Sequence, residues 1–194
     1  MKNKMLIISQ NVINYELGIP KDSVLRINLA WCNSISELEN ILKTHQENKI
    51  FVDLPIGRIK PPNNRYTLEE IVPLFESYKN IQYFAISNVE NDTDLDVFLD
   101  SIPKNVTIVP KIESPKGVKN IEAIMKKLDY EERIVMLDHD DLFSNIKKEN
   151  EDPSNFQKYI KILIEKCDEN NVNLLRTVGV IFSDDEKRLS QYVN

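Results

Sequence analysis

Cysteine is nearly absent. Cys32 and Cys167 are the only two in 194 residues, far apart and without metal or redox spacing. A disulfide framework is therefore excluded, no zinc knuckle can be built from cysteine, and a reducing cytoplasm is the expected setting. Glycine is also sparse: Gly18, Gly57, Gly117 and Gly179 are all there are, and none forms a glycine-rich turn behind the first apolar run. A dinucleotide fingerprint and a P-loop are excluded with it. Long apolar stretches are missing too. Behind the basic start, residues 5–8 are too short for a signal-peptide core, and nothing later reaches membrane length. Nor is there an excess of basic charge. Lys and Arg number 25 against 31 Asp and Glu, a net charge of −6, which argues against a large nucleic-acid footprint and for a soluble protein that does not act at membranes.

What the chain does contain is a regular alternation. Short apolar runs at residues 5–9, 24–28, 49–54, 83–87, 106–113, 133–137 and 172–181 read as strands. Amphipathic patterns at 36–45, 68–78, 93–101, 118–127 and 156–170 read as helices between them. Strand-helix alternation of this kind implies βαβ units and a parallel sheet. Pro103, Pro110 and Pro115 are expected at turns or strand ends. The pattern predicts one domain over residues 1–194, an α/β fold, and specifically a (β/α)8 TIM barrel, whose sites gather at the carboxyl ends of the strands. An eighth strand is missing from the pattern: residues 183–193 read as a polar helix, and the chain is shorter than the roughly 250 residues such barrels typically use.

Polar residues collect where the apolar runs end: Arg26 and Asn28, Asp53, Ser87, Lys111 and Glu113, Asp141 and Thr177. Side chains alternate along a strand, so Lys111 and Glu113 share a face. Glu113 and Asp141 are hard oxygen ligands from consecutive strands, suited to Mg²⁺ or Mn²⁺. Lys111 and Arg26 could hold an anionic substrate or stabilise an enolate beside the metal. His139 is the histidine placed to act as acid or base. Ordinary readings stand beside these. Lys111 with Glu113 could be a rim ion pair, residues 138–141 a solvated turn capping a helix, His139 and His45 surface residues, and 147–152 a loop. Arg26 in an apolar strand requires a partner.

Five ordered segments resemble pyruvate kinases. Arg26-Ile27-Asn28 is similar to their second-strand Arg-x-Asn, and Asp53-Leu54-Pro55 with Gly57-Arg58-Ile59-Lys60 to their third-strand segment. Lys111-Ile112-Glu113-Ser114-Pro115-x-Gly117-Val118-x-Asn120 is similar to their fifth-strand signature; Asp141-Leu142 and Thr177 fall where a metal-binding aspartate and a threonine are found. The resemblance implies a pyruvate-kinase-like barrel in the wider phosphoenolpyruvate and pyruvate superfamily that includes the metal-dependent HpcH/HpaI-type aldolases. It implies Glu113 and Asp141 as metal ligands, with Lys111, Arg26 and Thr177 as catalytic groups; His139, outside the family pattern, is expected beside them as acid or base. Arg26, Asn28, Lys111 and Ser87 would line the substrate. Ala30 stands where a potassium site would want a hydroxyl. Lys60 reaches Tyr66 through the short loop Pro61-Pro62-Asn63-Asn64, leaving no room for the inserted β domain, the carboxy-terminal domain is absent, and His139-Asp140 replaces the usual Arg-Gly. Phosphoryl transfer to ADP is not expected.

The expected activity is metal-dependent lyase or aldolase chemistry on a small pyruvate-like or phosphoenolpyruvate-like 2-oxo acid. A second reading is a catalytically degenerate barrel serving as a binding or assembly module. Either way, the unpaired strand edges of an open barrel predict a homo-oligomer or a partner subunit.

Overall fold

The computed structural model describes residues 6–9, 19–57 and 65–176. Thr177, the expected loop Pro61-Pro62-Asn63-Asn64 and the expected polar helix over 183–193 lie outside them.

Among the described residues seven strands form one sheet: β1 (Ile7–Ser9), β2 (Val24–Asn28), β3 (Lys49–Leu54), β4 (Ile81–Ile86), β5 (Thr107–Ile112), β6 (Ile134–Leu137) and β7 (Asn173–Arg176). Their order in space is their order in sequence, and every pairing is parallel. Each crossover therefore steps to the next position on one side, as in a singly wound barrel, and the sheet curls into a half-barrel. The helices are α1 (Ile35–Thr44), α2 (Leu68–Ser77), α3 (Asp96–Ser101), α4 (Pro115–Lys119), α5 (Ile121–Lys126), α6 (His139–Lys148) and α7 (Asn155–Glu169).

Strand alternation sorts the core into two clusters. Leu25, Ile27, Ile50, Val52, Phe84, Ile108, Val135 and Leu137 point outward, beneath the helices. Val24, Phe51, Tyr83, Ala85, Val109, Ile134 and Met136 pack together on the concave face, with Ile7 and Leu175 from the two outermost strands. In β2 to β5 the inward row passes from apolar residues to polar ones at the carboxyl end. Val24 leads by steps of two to Arg26 and Asn28, Phe51 to Asp53, Tyr83 through Ala85 to Ser87, and Val109 to Lys111 and Glu113. The apolar floor and the ionic rim thus follow from the period of two alone.

Local signals set the helix starts. Thr67 and Glu70 form a reciprocal capping box at α2. Ser114 accepts the Gly117 N–H at 3.2 Å at the head of α4, with Pro115 in its first turn. Asp138 accepts the Asp141 N–H at 3.3 Å and starts α6. Pro110 is inside β5, not at its end: β4 pairs with residues 107–110 and β6 with Lys111 and Ile112. The ring has no N–H to donate, and the ladder changes partner at that residue.

Candidate metal centre at the carboxyl ends of the strands

The ionic rim is built around Lys111, which is 4% exposed. Its ammonium donates to Ser87 Oγ at 3.0 Å and lies 2.8 Å from Glu113 Oε1 and 3.6 Å from Asp53 Oδ1. Asp53 is fully buried and takes two hydrogen bonds on Oδ2 from Arg26, one from Nε at 3.1 Å and one from Nη2. Arg26 therefore has the partner its strand position demands. The guanidinium is spent on Asp53 rather than standing free for a ligand. Asn28 Oδ1 accepts the Ala30 N–H at 3.0 Å, capping the 3-10 turn Leu29–Trp31 that leaves β2.

Glu113 is 2% exposed. Its Oε2 accepts the Asn88 backbone N–H at 2.7 Å. Asn88 has φ 56°, in the left-handed region that asparagine tolerates better than most residues, and its side-chain amide donates to Ile56 O behind β3. Asn145 Nδ2 donates to Glu113 O at 2.7 Å, tying α6 to the end of β5. That tie brings the head of α6 over the rim. One carboxylate oxygen each from Glu113, Asp138 and Asp141 then lies within 4.8 Å of the others, a set able to hold a metal ion.

Electrostatics favours a cation there. Burial opposes the Lys111 charge, but Asp53 and then Glu113 outweigh it and hold the ammonium above the usual lysine range. Burial pushes the Glu113 carboxyl up, the ammonium and the Asn88 N–H offset this only in part, and Asp138 adds to it by repulsion. Four carboxylates, Asp53, Glu113, Asp138 and Asp141, face the two cations Arg26 and Lys111. A shallow surface hollow lies at the other end of the sheet, lined by Glu131, Glu132, Arg133, Asn171 and Asn173, away from this chemistry.

The structure brings together Arg26, Ser87, Lys111, Glu113 and Asp141 of the residues the sequence singled out. His139 is the first residue of α6, its ring edge-on to Phe156 of α7 with centroids 6.2 Å apart. Two participants carried no expectation as site residues. Asp138 was expected among the polar neighbours of Asp141 and as part of a helix-capping turn, not as a ligand; strand parity carried two residues beyond Met136 places it on the inner face. Asn88 gives no sequence signal beyond following a strand.

No family model and no curated protein matches the chain. Among solved structures it is similar to RipC from Yersinia pestis, with a TM-score of 0.61 over 93% of this chain and 77% of that one, at 15% identity. That likeness shows the fold alone.

It also corrects the pyruvate kinase resemblance. The matched structure is RipC, and the sheet is a seven-strand half-barrel, not a pyruvate kinase barrel. The physical reason lies in the segments themselves. Polar residues at the ends of parallel strands, a proline at a helix start and a glycine at a tight contact are demands of the architecture. Short motifs made of them do not single out one family. No helix among the described residues is long and apolar enough to cross a membrane.

Proposed function

We propose that the rim is a divalent-metal site, for Mg²⁺ or Mn²⁺, at which a small 2-oxo acid undergoes lyase or aldol-type chemistry. The observation that carries this reading is the convergence of Glu113, Asp138 and Asp141 within 4.8 Å, beside a buried ammonium. Carboxylate-only ligation suits hard cations. A divalent ion held there would supply Lewis-acid charge to the carboxylate and keto oxygens of such an acid, lowering the cost of an enolate. The chain's own residues do the rest. Glu113 is oriented by the Asn88 N–H, Asp138 and Asp141 are carried by the head of α6, and Lys111 contributes a buried positive charge hydrogen-bonded to Ser87. Arg26 holds Asp53 through two hydrogen bonds and so fixes the far side of the lysine.

One observation favours the second reading, a barrel kept as a binding or assembly module: both cations of the rim are already matched by carboxylates. A single experiment separates the two. Mn²⁺ is titrated into the protein and into Glu113→Gln, and oxaloacetate decarboxylation is followed in both. Metal binding lost in the variant, with metal-dependent decarboxylation in the parent alone, supports the enzyme. Equal or absent binding in both ends the metal reading and leaves the module.

A further inference from the structure

We propose that Lys111 is an exchangeable internal cation, which sits on Glu113 while the metal site is empty and moves to Asp53 when a divalent ion takes Glu113. The inference rests on the metal reading above.

Both oxygens of Glu113 are engaged, but not equally. Oε2 is held by a backbone N–H at 2.7 Å, which is fixed by the end of β4. Oε1 is buried and has no aligned hydrogen bond, only the ammonium at 2.8 Å. Oε1 is thus the oxygen a metal can claim. Asp53 Oδ1 is the matching vacancy: it too is buried without a hydrogen bond, and it lies 3.6 Å from the same ammonium. Ser87 Oγ, at 3.0 Å, accepts from the ammonium and gives it a pivot. A shift of under an ångström toward Asp53 gives Oδ1 the close contact it lacks and loosens the ammonium's hold on Oε1. The ammonium keeps a carboxylate partner throughout, since the lysine leaves one carboxylate for another as the ion arrives. An ammonium and a divalent ion cannot share one buried oxygen without strong repulsion. The exchange makes metal binding dependent on Asp53, a residue that would not touch the metal.

The test is Mn²⁺ affinity, measured calorimetrically on the full chain and on two variants with opposite expected signs. Lys111→Met removes the competitor, and Mn²⁺ binds about tenfold tighter; Asp53→Asn removes the destination, and binding weakens about tenfold. The second variant decides the matter if the first does not fold, because Arg26 at the edge of the cluster can turn to solvent. Parent-like affinity in the folded variants overturns the exchange while leaving the metal site standing. Absence of Mn²⁺ binding in the parent and in Lys111→Met overturns the metal site itself.

Discussion

The Asn88 backbone N–H donates to Glu113 Oε2 at 2.7 Å, while the Asn88 side chain bonds Ile56 O behind β3. One residue thus ties three consecutive strand ends together, and it does so from a left-handed conformation. Two substitutions separate backbone from side chain. Asn88→Gly keeps the conformation and the N–H, so Mn²⁺ affinity should stay within about twofold of the parent. Asn88→Val puts a β-branched residue at positive φ, at a cost of about 1–3 kcal/mol. It should lower the urea midpoint and weaken Mn²⁺ binding together. Equal metal binding in a folded Val variant would show that the N–H does not position Glu113.

The Arg26 and Asp53 pair is a second lever, because Asp53 is fully buried and Arg26 mostly so. Removing one partner of such a pair leaves charge behind, which costs about 3–5 kcal/mol. Arg26→Met should fall at the low end, since Lys111 remains 3.6 Å from the other Asp53 oxygen. The double variant Arg26→Met with Asp53→Asn should be more stable than Arg26→Met alone, because an amide carries no charge to bury. Urea denaturation of the set reads this directly, and a double variant no better than the single one would contradict it.

Gly117 is required by space rather than by backbone conformation. A Cβ there would meet Val89 O at 2.6 Å and Ile112 Cγ2 at 3.3 Å. Backbone cannot swing aside as a flexible side chain does, so Gly117→Ala should push α4 off the end of β4 and cost about 1–3 kcal/mol, as overpacking does. Thermal unfolding checks it. A variant as stable as the parent would mean that α4 moves freely at that point.

The strands show how much of this was legible in the sequence. Residues 24–28 and 49–54 read as short, largely apolar runs, and β2 and β3 fall on them. Strand parity foretold that Lys111 and Glu113 share a face. Residues 138–141 read as a turn able to cap a helix, but the run behind it was not among the helical patterns, although Leu142 and Ile146 are buried on α6 as Leu38 and Leu42 are on α1. The loss matters for function, since α6 carries two of the three converging carboxylates. Contacts set by long-range packing, such as Asn145 on Glu113 O, have no local signature at all. Motif likeness was the weakest guide. It found the polar strand ends, which geometry fixes, and attached them to the wrong family.

Tyr83 lies on the apolar floor of the half-barrel, 5% exposed, and donates to Glu132 Oε2 at 3.4 Å. Burial first, and then the Glu132 charge, push its phenol up from 10.0 to about 12. Between these values the unfolded chain gives up the proton and the folded one keeps it. The folded state therefore binds more protons, and its stability falls as pH rises from about 10 toward 12. The slope from this residue approaches, at most, about 1.4 kcal/mol per pH unit. Tyr83→Phe removes the titrating group but keeps the ring, which stacks on Phe51 at 5.9 Å. Its stability should be lower than the parent's at neutral pH by the worth of one hydrogen bond, about 1 kcal/mol. The two should then converge as the solution is made alkaline. Urea midpoints at intervals from pH 8 to 11.5, with tyrosinate absorbance followed in parallel, measure both effects. Parallel stability curves for the two proteins would place the Tyr83 phenol in water, not in the floor beneath the metal rim.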